Sequence, residues 1–262
     1  MINYDNLKND IENLIKESSA SISVTFCDLD NDEKFSINGN KKVPSASMIK
    51  LLIMLTLLKK VELKEISLDE KTKLVEDKRV GGSGVLKDLS CDHSFTIKEL
   101  LTLMIIISDN YATNILIEKI GMDNINKLGK ELNLLETSLE RIMMDTDAQS
   151  RGLDNFTSSE DVFSVLKIIY EKSFLREDLS ELALDILLRQ QERDRLQRYL
   201  PEDLKIANKS GDLDFLENDG GIFFTNSKNY ILVVLVNNAD SNVIAKDIIG
   251  KISLKIYNSV IE

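Results

Sequence analysis

A run of mostly apolar residues at positions 48–58 constrains the fold more than any other feature of this sequence. The run reads MIKLLIMLTLL, and Lys50 is its only charged residue. A helix that is apolar nearly all round must be enclosed by the rest of the protein. The run is shorter than the ~18 apolar residues of a membrane span. We therefore expect a buried core helix over residues 47–60.

Lys50 would lose its hydration inside such a helix, which favours the neutral amine and lowers its pKa. Ser47 lies three residues earlier, so both side chains face the same side of the helix. A neutral amine beside a hydroxyl can act as a general base, and a helix N-terminus favours developing negative charge. The alternative is that Ser47 only caps the helix and Lys50 extends to solvent.

Composition excludes several classes of protein. The chain of 262 residues has a net charge of −11, which argues against a nucleic-acid-binding face or a basic membrane-binding patch. The N-terminus lacks the basic and apolar regions of a signal peptide, so we expect a cytoplasmic protein unless a leader was trimmed. No stretch is long enough for a membrane span.

Cysteine and histidine are too sparse to indicate a metal site or another cofactor. Cys27 and Cys91 form no C-x-x-C pair, and His93 is the single histidine, so no zinc site is expected. Two free thiols are the preferred interpretation, with a disulfide left open. His93 lies in a polar stretch typical of a surface loop. A serine hydrolase here would therefore need lysine as its base.

Two further segments could join Ser47 and Lys50. Ser108-Asp109-Asn110 follows an apolar helix; Ser108 could relay a proton and Asn110 could bind a substrate carbonyl, although these residue types also cap helices. Lys209-Ser210-Gly211 ends a predicted strand. Lys209 could bind a carboxylate, Ser210 could donate a hydroxyl, and Gly211 would let a substrate lie along the strand edge. An ordinary strand-to-loop transition is the alternative.

Strand patterns occur at both ends of the chain and helix patterns lie between them, which predicts one sheet built from both termini with a helical insertion. The predicted helices include one opened by a capping box, Thr96 with Glu99. The predicted strands are 22–26, 34–37, 205–208, 221–225 and 230–237, and the predicted helices are 6–17, 47–60, 96–107, 110–120, 123–132, 159–171, 179–192 and 241–259.

Ser-x-x-Lys, Ser-Asp-Asn and Lys-Ser-Gly in this order resemble the signature of class A β-lactamases and penicillin-binding proteins, with serine in place of threonine in the third motif. The resemblance implies an α/β (α+β) fold: an antiparallel sheet of about five strands flanked by helices, with an inserted all-α domain. On this basis we expect residues 1–40 and 195–262 to form the sheet domain and 41–194 the helical one.

The same resemblance implies roles for individual residues. Ser47 would be the nucleophile, Lys50 its base and Ser108 the proton relay. Substrate would be bound by Asn110, Lys209, Ser210, Gly211 and Asp212, with the backbone N–H groups of Ser47 and Asp212 forming an oxyanion hole.

The loop after Arg141 departs from the family. Class A enzymes keep a glutamate there that activates the deacylating water, whereas residues 142–149 contain none. Asp145, or Asp147, could replace it; a carboxylate that caps the loop is the alternative. Asp154 resembles the partner of Arg141 in a closing ion pair.

Three functions remain open. The first is a hydrolase that opens β-lactams through a Ser47 acyl-enzyme. The second is a peptidase or esterase that acts on another acyl donor. The third is a penicillin-binding protein or sensor that stays acylated. In each case the expected partner is a small β-lactam or peptide-like acyl donor, and the expected state is a monomer.

Overall fold

The computed structural model describes residues 2–261, and strands from both ends of the chain form one sheet, as predicted. The sheet has five strands in the order β2-β1-β9-β8-β7, and all neighbouring pairs are antiparallel. The strands of the chain are β1 (Ser21–Asp28), β2 (Lys34–Ile37), β3 (Val43–Pro44), β4 (Lys71–Lys73), β5 (Ser94–Thr96), β6 (Phe156–Thr157), β7 (Lys205–Leu213), β8 (Leu216–Phe224) and β9 (Tyr230–Asn237).

Both faces of the sheet are covered by helices. A short 3-10 turn, Ala46–Ile49, leads directly into α2. The helices are α1 (Tyr4–Lys16), α2 (Lys50–Glu62), α3 (Ile97–Ile106), α4 (Asn110–Ile120), α5 (Met122–Glu131), α6 (Thr146–Ser150), α7 (Ser159–Glu171), α8 (Glu177–Leu188) and α9 (Asn242–Ile261).

Alternate residues of the central strand β9 belong to two separate hydrophobic clusters. Leu232 and Val234 pack with α1 and α9, whereas Ile231 and Val233 share a cluster with the helical segment. Because successive side chains of a strand point to opposite faces, one strand serves both cores. The boundary between a sheet domain and a helical domain at residues 41 and 194 stays a prediction.

The helix α2 is as buried as its sequence predicts. Every residue from Lys50 to Leu58 is buried, and α2 packs against α3, α4, α5, α7 and α8. Within the described residues, no helix combines the length and the apolar character needed to cross a membrane. Cys27 and Cys91 are free thiols, in agreement with the preferred interpretation.

The alternation of polar and apolar residues in the first strand predicts a half-buried strand, and that prediction is wrong. Ser23 and Thr25 are 0% exposed, because α7 covers the face that the polar residues occupy. The Thr25 hydroxyl lies 2.9 Å from the Ser159 hydroxyl of α7. A polar residue on a strand therefore does not imply a solvated face when a neighbouring helix supplies a hydrogen-bond partner.

The predicted helix 179–192 ends early, at Leu188. The side-chain amide of Gln190 donates to the carbonyl of Ile105 at 3.0 Å, and Gln191 N donates to the carbonyl of Ile106 at 3.0 Å. These carbonyls belong to the last turn of α3, where helix geometry leaves acceptors unpaired. This tertiary contact redirects the chain after α8 and brings Glu192 towards β7.

The capping box that opens α3 is present and gives a test of the fold. Glu99 N donates to Thr96 Oγ1 at 3.1 Å, and Thr96 N donates to Glu99 Oε2 at 2.6 Å. We expect Thr96→Ala to cost about 1 kcal/mol of stability, which for a domain of this size corresponds to a Tm lower by ~2–4 °C. Differential scanning calorimetry measures the Tm of both proteins.

Thr102→Ala provides the matched control, since Thr102 lies within the same helix and its hydroxyl donates only to the carbonyl of Lys98, at 2.8 Å. Alanine has the higher helix propensity, so this variant should not lose stability. Equal losses of stability in Thr96→Ala and Thr102→Ala would show that the capping box does not stabilise the protein specifically.

Candidate active site

Ser47 lies in the 3-10 turn that precedes α2, and the turn is pressed against the edge of the sheet. The amide nitrogen of Asn218 donates to the carbonyls of Pro44 and Ser45 at 3.2 and 3.4 Å. A Cβ at Gly211 would come within 2.7 Å of Ser47 N. Only glycine therefore lets β7 approach the turn this closely. Ala46 has a φ of +46°, which stores about 1–3 kcal/mol of backbone strain.

The side chain of Ser47 is partly exposed and lines a cleft of about 380 Å³. Within the described chain, neither its hydroxyl nor its N–H has a protein hydrogen-bond partner. Both groups are thus available to a ligand in the cleft. The residues that line the cleft are Ala46, Ser47, Gly82, Ser83, Asn110, Arg141, Met143, Met144, Asp154, Asn155, Asp212, Leu213 and Asp214.

Lys50 is fully buried, with 0% of its surface exposed, so the alternative of a solvent-exposed lysine is wrong. Its Nζ donates to the Ser108 carbonyl at 2.7 Å, to Ser108 Oγ at 3.0 Å and to Asn110 Oδ1 at 3.0 Å. Burial lowers the pKa of Lys50 well below its usual value, and the charge of Lys209 lowers it further. The amine is thus directed at Ser108, one turn of helix from Ser47.

The Ser108 hydroxyl connects Lys50 of the helical segment with Lys209 of the sheet. Its Oγ accepts from Lys50 Nζ at 3.0 Å and from Lys209 Nζ at 3.2 Å. Because both lysines donate to this oxygen, its own proton is left for another acceptor. The φ of Ser108 is +57°, an uncommon conformation for a residue other than glycine. This conformation turns the hydroxyl towards the two amines.

Asp109 holds this turn in place. Its Oδ1 accepts from Ala112 N at 2.9 Å, which caps α4. Its Oδ2 accepts from Val85 N at 2.7 Å and from Leu86 N at 2.9 Å, which fixes the loop at the cleft mouth. The capping interpretation of this motif therefore applies to Asp109, while Ser108 and Asn110 face the lysine amine.

Lys209 is also fully buried, on the edge strand β7. Its Nζ donates to Ser108 Oγ at 3.2 Å and to the Ser210 carbonyl at 2.6 Å. Burial lowers the pKa of Lys209 to about 8, although the carboxylate of Glu192 acts in the opposite direction. The strand was expected to end at the motif, but β7 continues to Leu213. The motif therefore lies within a paired strand.

Two charged residues of this site, Glu192 and Arg195, were missed by sequence reasoning. Ser210 Oγ donates to Glu192 Oε2 at 2.5 Å. Arg195 Nη2 donates to Asp212 Oδ1 at 3.1 Å, and Arg195 Nη1 to Glu192 Oε2 at 3.4 Å. Burial raises the pKa of Glu192, but Lys209, the Ser210 hydroxyl and Arg195 outweigh it and lower the pKa below its usual value. No local pattern distinguishes these residues from a charged helix end.

The loop between Arg141 and Asp154 closes as the resemblance implies. Arg141 Nε donates to Asp154 Oδ1 at 2.9 Å, and the cation contacts the same oxygen through Nη2 at 2.8 Å. Met143 and Met144 from this loop line the cleft.

Asp145 does not line the cleft. Its Oδ1 accepts from Ala148 N at 2.8 Å and caps α6, so the geometry favours the capping alternative. Its role as a deacylating base stays an untested prediction. His93 is exposed in its loop. Residues 2–261 contain no cluster of three His, Cys, Asp or Glu side chains that could hold a metal ion.

Comparison with known sequences gives a match over nearly the whole chain. The sequence model of the β-lactamase enzyme family matches residues 6–260. The β-lactamase CARB-3 of Pseudomonas aeruginosa is 23% identical over 211 residues, which cover 79% of this chain and 73% of that protein. The β-lactamase BRO-1 of Moraxella catarrhalis is 29% identical over 202 residues, 74% of this chain and 62% of the relative.

Comparison with solved structures supports the fold. The β-lactamase from Sphaerobacter thermophilus superposes with a TM-score of 0.91 at 24% identity, covering 99% of this chain and 98% of that one. PBP-A superposes with a TM-score of 0.90 at 24% identity, covering 97% of this chain and 95% of that one. The five-stranded antiparallel sheet, the buried lysines that meet at Ser108 and the match over residues 6–260 lead to one assignment: the chain belongs to the β-lactamase enzyme family.

Proposed function

We propose that this chain, a serine hydrolase of the β-lactamase type, uses Ser47 as the nucleophile that opens a β-lactam or related acyl donor. The observation that carries the proposal is the hydrogen-bonded path from the buried Lys50 amine to Ser108, with Lys209 on its other side. A buried amine with a lowered pKa can hold a neutral form that accepts a proton near neutral pH.

Acylation would proceed in two proton transfers. In its neutral form Lys50 keeps two of its three donated hydrogen bonds, and its lone pair accepts the Ser47 proton while Ser47 Oγ attacks the carbonyl carbon. The amine then returns a proton through Ser108 to the leaving nitrogen, and the C–N bond breaks. Proton transfer by a positioned side chain contributes typically ~10²–10⁴-fold to rate. The Ser47 and Asp212 N–H groups are the proposed donors to the oxyanion, and Asn110 the proposed donor to the side chain of the acyl donor.

Release of the acyl group would be the slow step. Two carboxylates of the loop are engaged elsewhere: Asp145 caps α6, and Asp154, which lines the cleft, is paired with Arg141 at 2.8 Å. Met143 and Met144 also line the cleft. In this proposal the loop supplies no general base, and deacylation of a Ser47 ester requires one. We therefore propose fast acylation followed by a long-lived acyl-enzyme.

The nucleophile is tested directly by covalent labelling. Wild-type protein incubated with a fluorescent penicillin should gain one label per chain, and Ser47→Ala should gain none because the attacking oxygen is gone. Intact-mass spectrometry measures the adduct. Ser164→Ala serves as the control, since Ser164 belongs to the second Ser-x-x-Lys pair and its hydroxyl donates only to the Glu160 carbonyl, at 2.9 Å. Labelling that persists without Ser47 would reject the assignment.

Gly211→Ala tests whether the strand edge positions the Ser47 N–H. The added methyl group would meet Ser47 N at 2.7 Å and displace the turn. A displacement of about 1 Å can cost ~10²-fold in rate, so we expect labelling to slow by ~10- to 100-fold. Stopped-flow fluorescence measures the rate.

The matched control is Gly81→Ala at the mouth of the same cleft, where an added Cβ would have no neighbour within 4 Å. It should label at the wild-type rate. If the Gly211 variant also labels at that rate, the N–H of Ser47 has no part in stabilising the transition state.

Met143→Glu tests the proposed cause of slow release, because it introduces a carboxylate at a position that lines the cleft. The lifetime of the acyl-enzyme should fall by at least ~10-fold, since a general base contributes ~10²–10⁴-fold when well placed. Time-resolved intact mass follows the adduct after excess penicillin is removed.

Asp145→Asn is the control in this experiment. Asparagine caps helices as well as aspartate does, so only the charge is lost. We expect an unchanged lifetime. A strongly prolonged lifetime would identify Asp145 as the deacylating base and overturn the capping interpretation.

A further inference from the structure

The buried pair Lys209 and Ser210 is the expected binding site for the carboxylate of an acyl donor, yet both residues are 0% exposed. The Ser210 hydroxyl has a single proton, and it donates that proton to Glu192 Oε2 at 2.5 Å. Ser210 cannot donate to a second carboxylate at the same time. Glu192 therefore already accepts the Ser210 proton that a ligand carboxylate would need.

Glu192 is held in this position by several contacts. Its backbone N donates to Gln190 Oε1 at 3.1 Å, within the turn that ends α8. Arg195 Nη1 lies 3.4 Å from its Oε2. The side chain of Glu192 retains 30% exposure, whereas Ser210, Lys209 and Arg195 have almost none. Solvent therefore reaches the Glu192 carboxylate but not the Ser210 hydroxyl that it holds.

Most of the charged residues along the cleft are negative. Asp154, Asp212 and Asp214 line it, and Arg141 is the one cation among its lining residues. Arg141 is already paired with Asp154 at 2.8 Å. Lys209 uses two of its protons on Ser108 Oγ and the Ser210 carbonyl. A ligand carboxylate would therefore meet repulsion and would find the Ser210 proton engaged, with one proton of Lys209 left to bind it.

We propose that Glu192 determines specificity by holding the Ser210 hydroxyl of the expected carboxylate subsite beside this cleft, so that the preferred acyl donors present a neutral or cationic group there. This inference rests on the proposed function of the site. An anionic donor must displace the Glu192 carboxylate from Ser210 before it can bind. Like charges brought together at a binding site disfavour the wrong partner strongly.

The experiment measures binding apart from chemistry. In a Ser47→Ala background, calorimetry compares the dissociation constants of a penicillin and of its neutral methyl ester, with and without Glu192→Gln. Glutamine has nearly the same shape but no charge. We expect Glu192→Gln to tighten binding of the acid by about tenfold or more and to change binding of the ester by less than about twofold.

Glu202→Gln in the same background is the control, because Glu202 is an exposed glutamate in the loop before β7. It should alter neither affinity. Equal effects of Glu192→Gln on acid and ester, or no binding of the acid to that variant, would overturn the proposal. Such results would assign Glu192 only to positioning Ser210.

A second arm separates this inference from the proposed function. With Ser47 intact, the acylation rates of acid and ester are measured for wild type and Glu192→Gln, and the ratio of acid to ester should rise about tenfold in the variant. Failure of both compounds to acylate Ser47 would count against the proposed nucleophile, while the calorimetric comparison would still decide the role of Glu192.

Discussion

Two lysine side chains, Lys50 and Lys209, are both excluded from water and both donate to the hydroxyl of Ser108. Two neighbouring buried cations are costly unless each has hydrogen-bond acceptors and at least one lowers its charge. The structure meets both conditions, since each amine has close oxygen acceptors and burial lowers both pKa values. The burial that makes the site costly to build also favours the neutral form of Lys50, the proposed base.

This arrangement requires the helical segment and the sheet to be held in a fixed relation. Lys50 comes from α2, Ser108 from the turn before α4, and Lys209 from the edge strand β7. Gly211 allows close contact between β7 and the Ser47 turn, and the amide of Asn218 anchors that turn from the neighbouring strand. A shift of any of these elements by about 1 Å would separate groups that now lie at hydrogen-bond distance.

The region around Lys50, Ser108 and Lys209 is acidic, and its carboxylates have different partners. Buried Arg195 pairs with Glu217 at 2.5 Å and with Asp212 at 3.1 Å, which braces the end of β7. Asp219 lies nearby, and burial raises its pKa to about 6. Glu192 reaches the exposed side of the cluster and takes the Ser210 proton. The loop 141–154 contributes methionines where a base would act on water. The proposed steps of acylation, release and selection of the acyl donor thus involve separate parts of the site.

Much of this protein could be predicted from its sequence. The apolar run around Lys50 specified a buried helix, because no other environment accommodates it. Strand periodicity at both termini specified a shared sheet, and the order of three short motifs predicted a site that contains Ser47, Lys50, Ser108 and Lys209. These properties follow from local residue order and from the hydrophobic effect, which act over a few positions along the chain.

Only the tertiary structure decided the features that local sequence patterns did not predict. It buried Ser23 and Thr25 by covering them with α7, and it ended α8 at Leu188 because the last carbonyls of α3 bind Gln190 and Gln191. It also brought Glu192 and Arg195 beside Ser210 and Asp212. Each of these outcomes depends on a partner at least several residues away in the chain, and local patterns carry no information about which distant group satisfies a hydrogen bond or a buried charge.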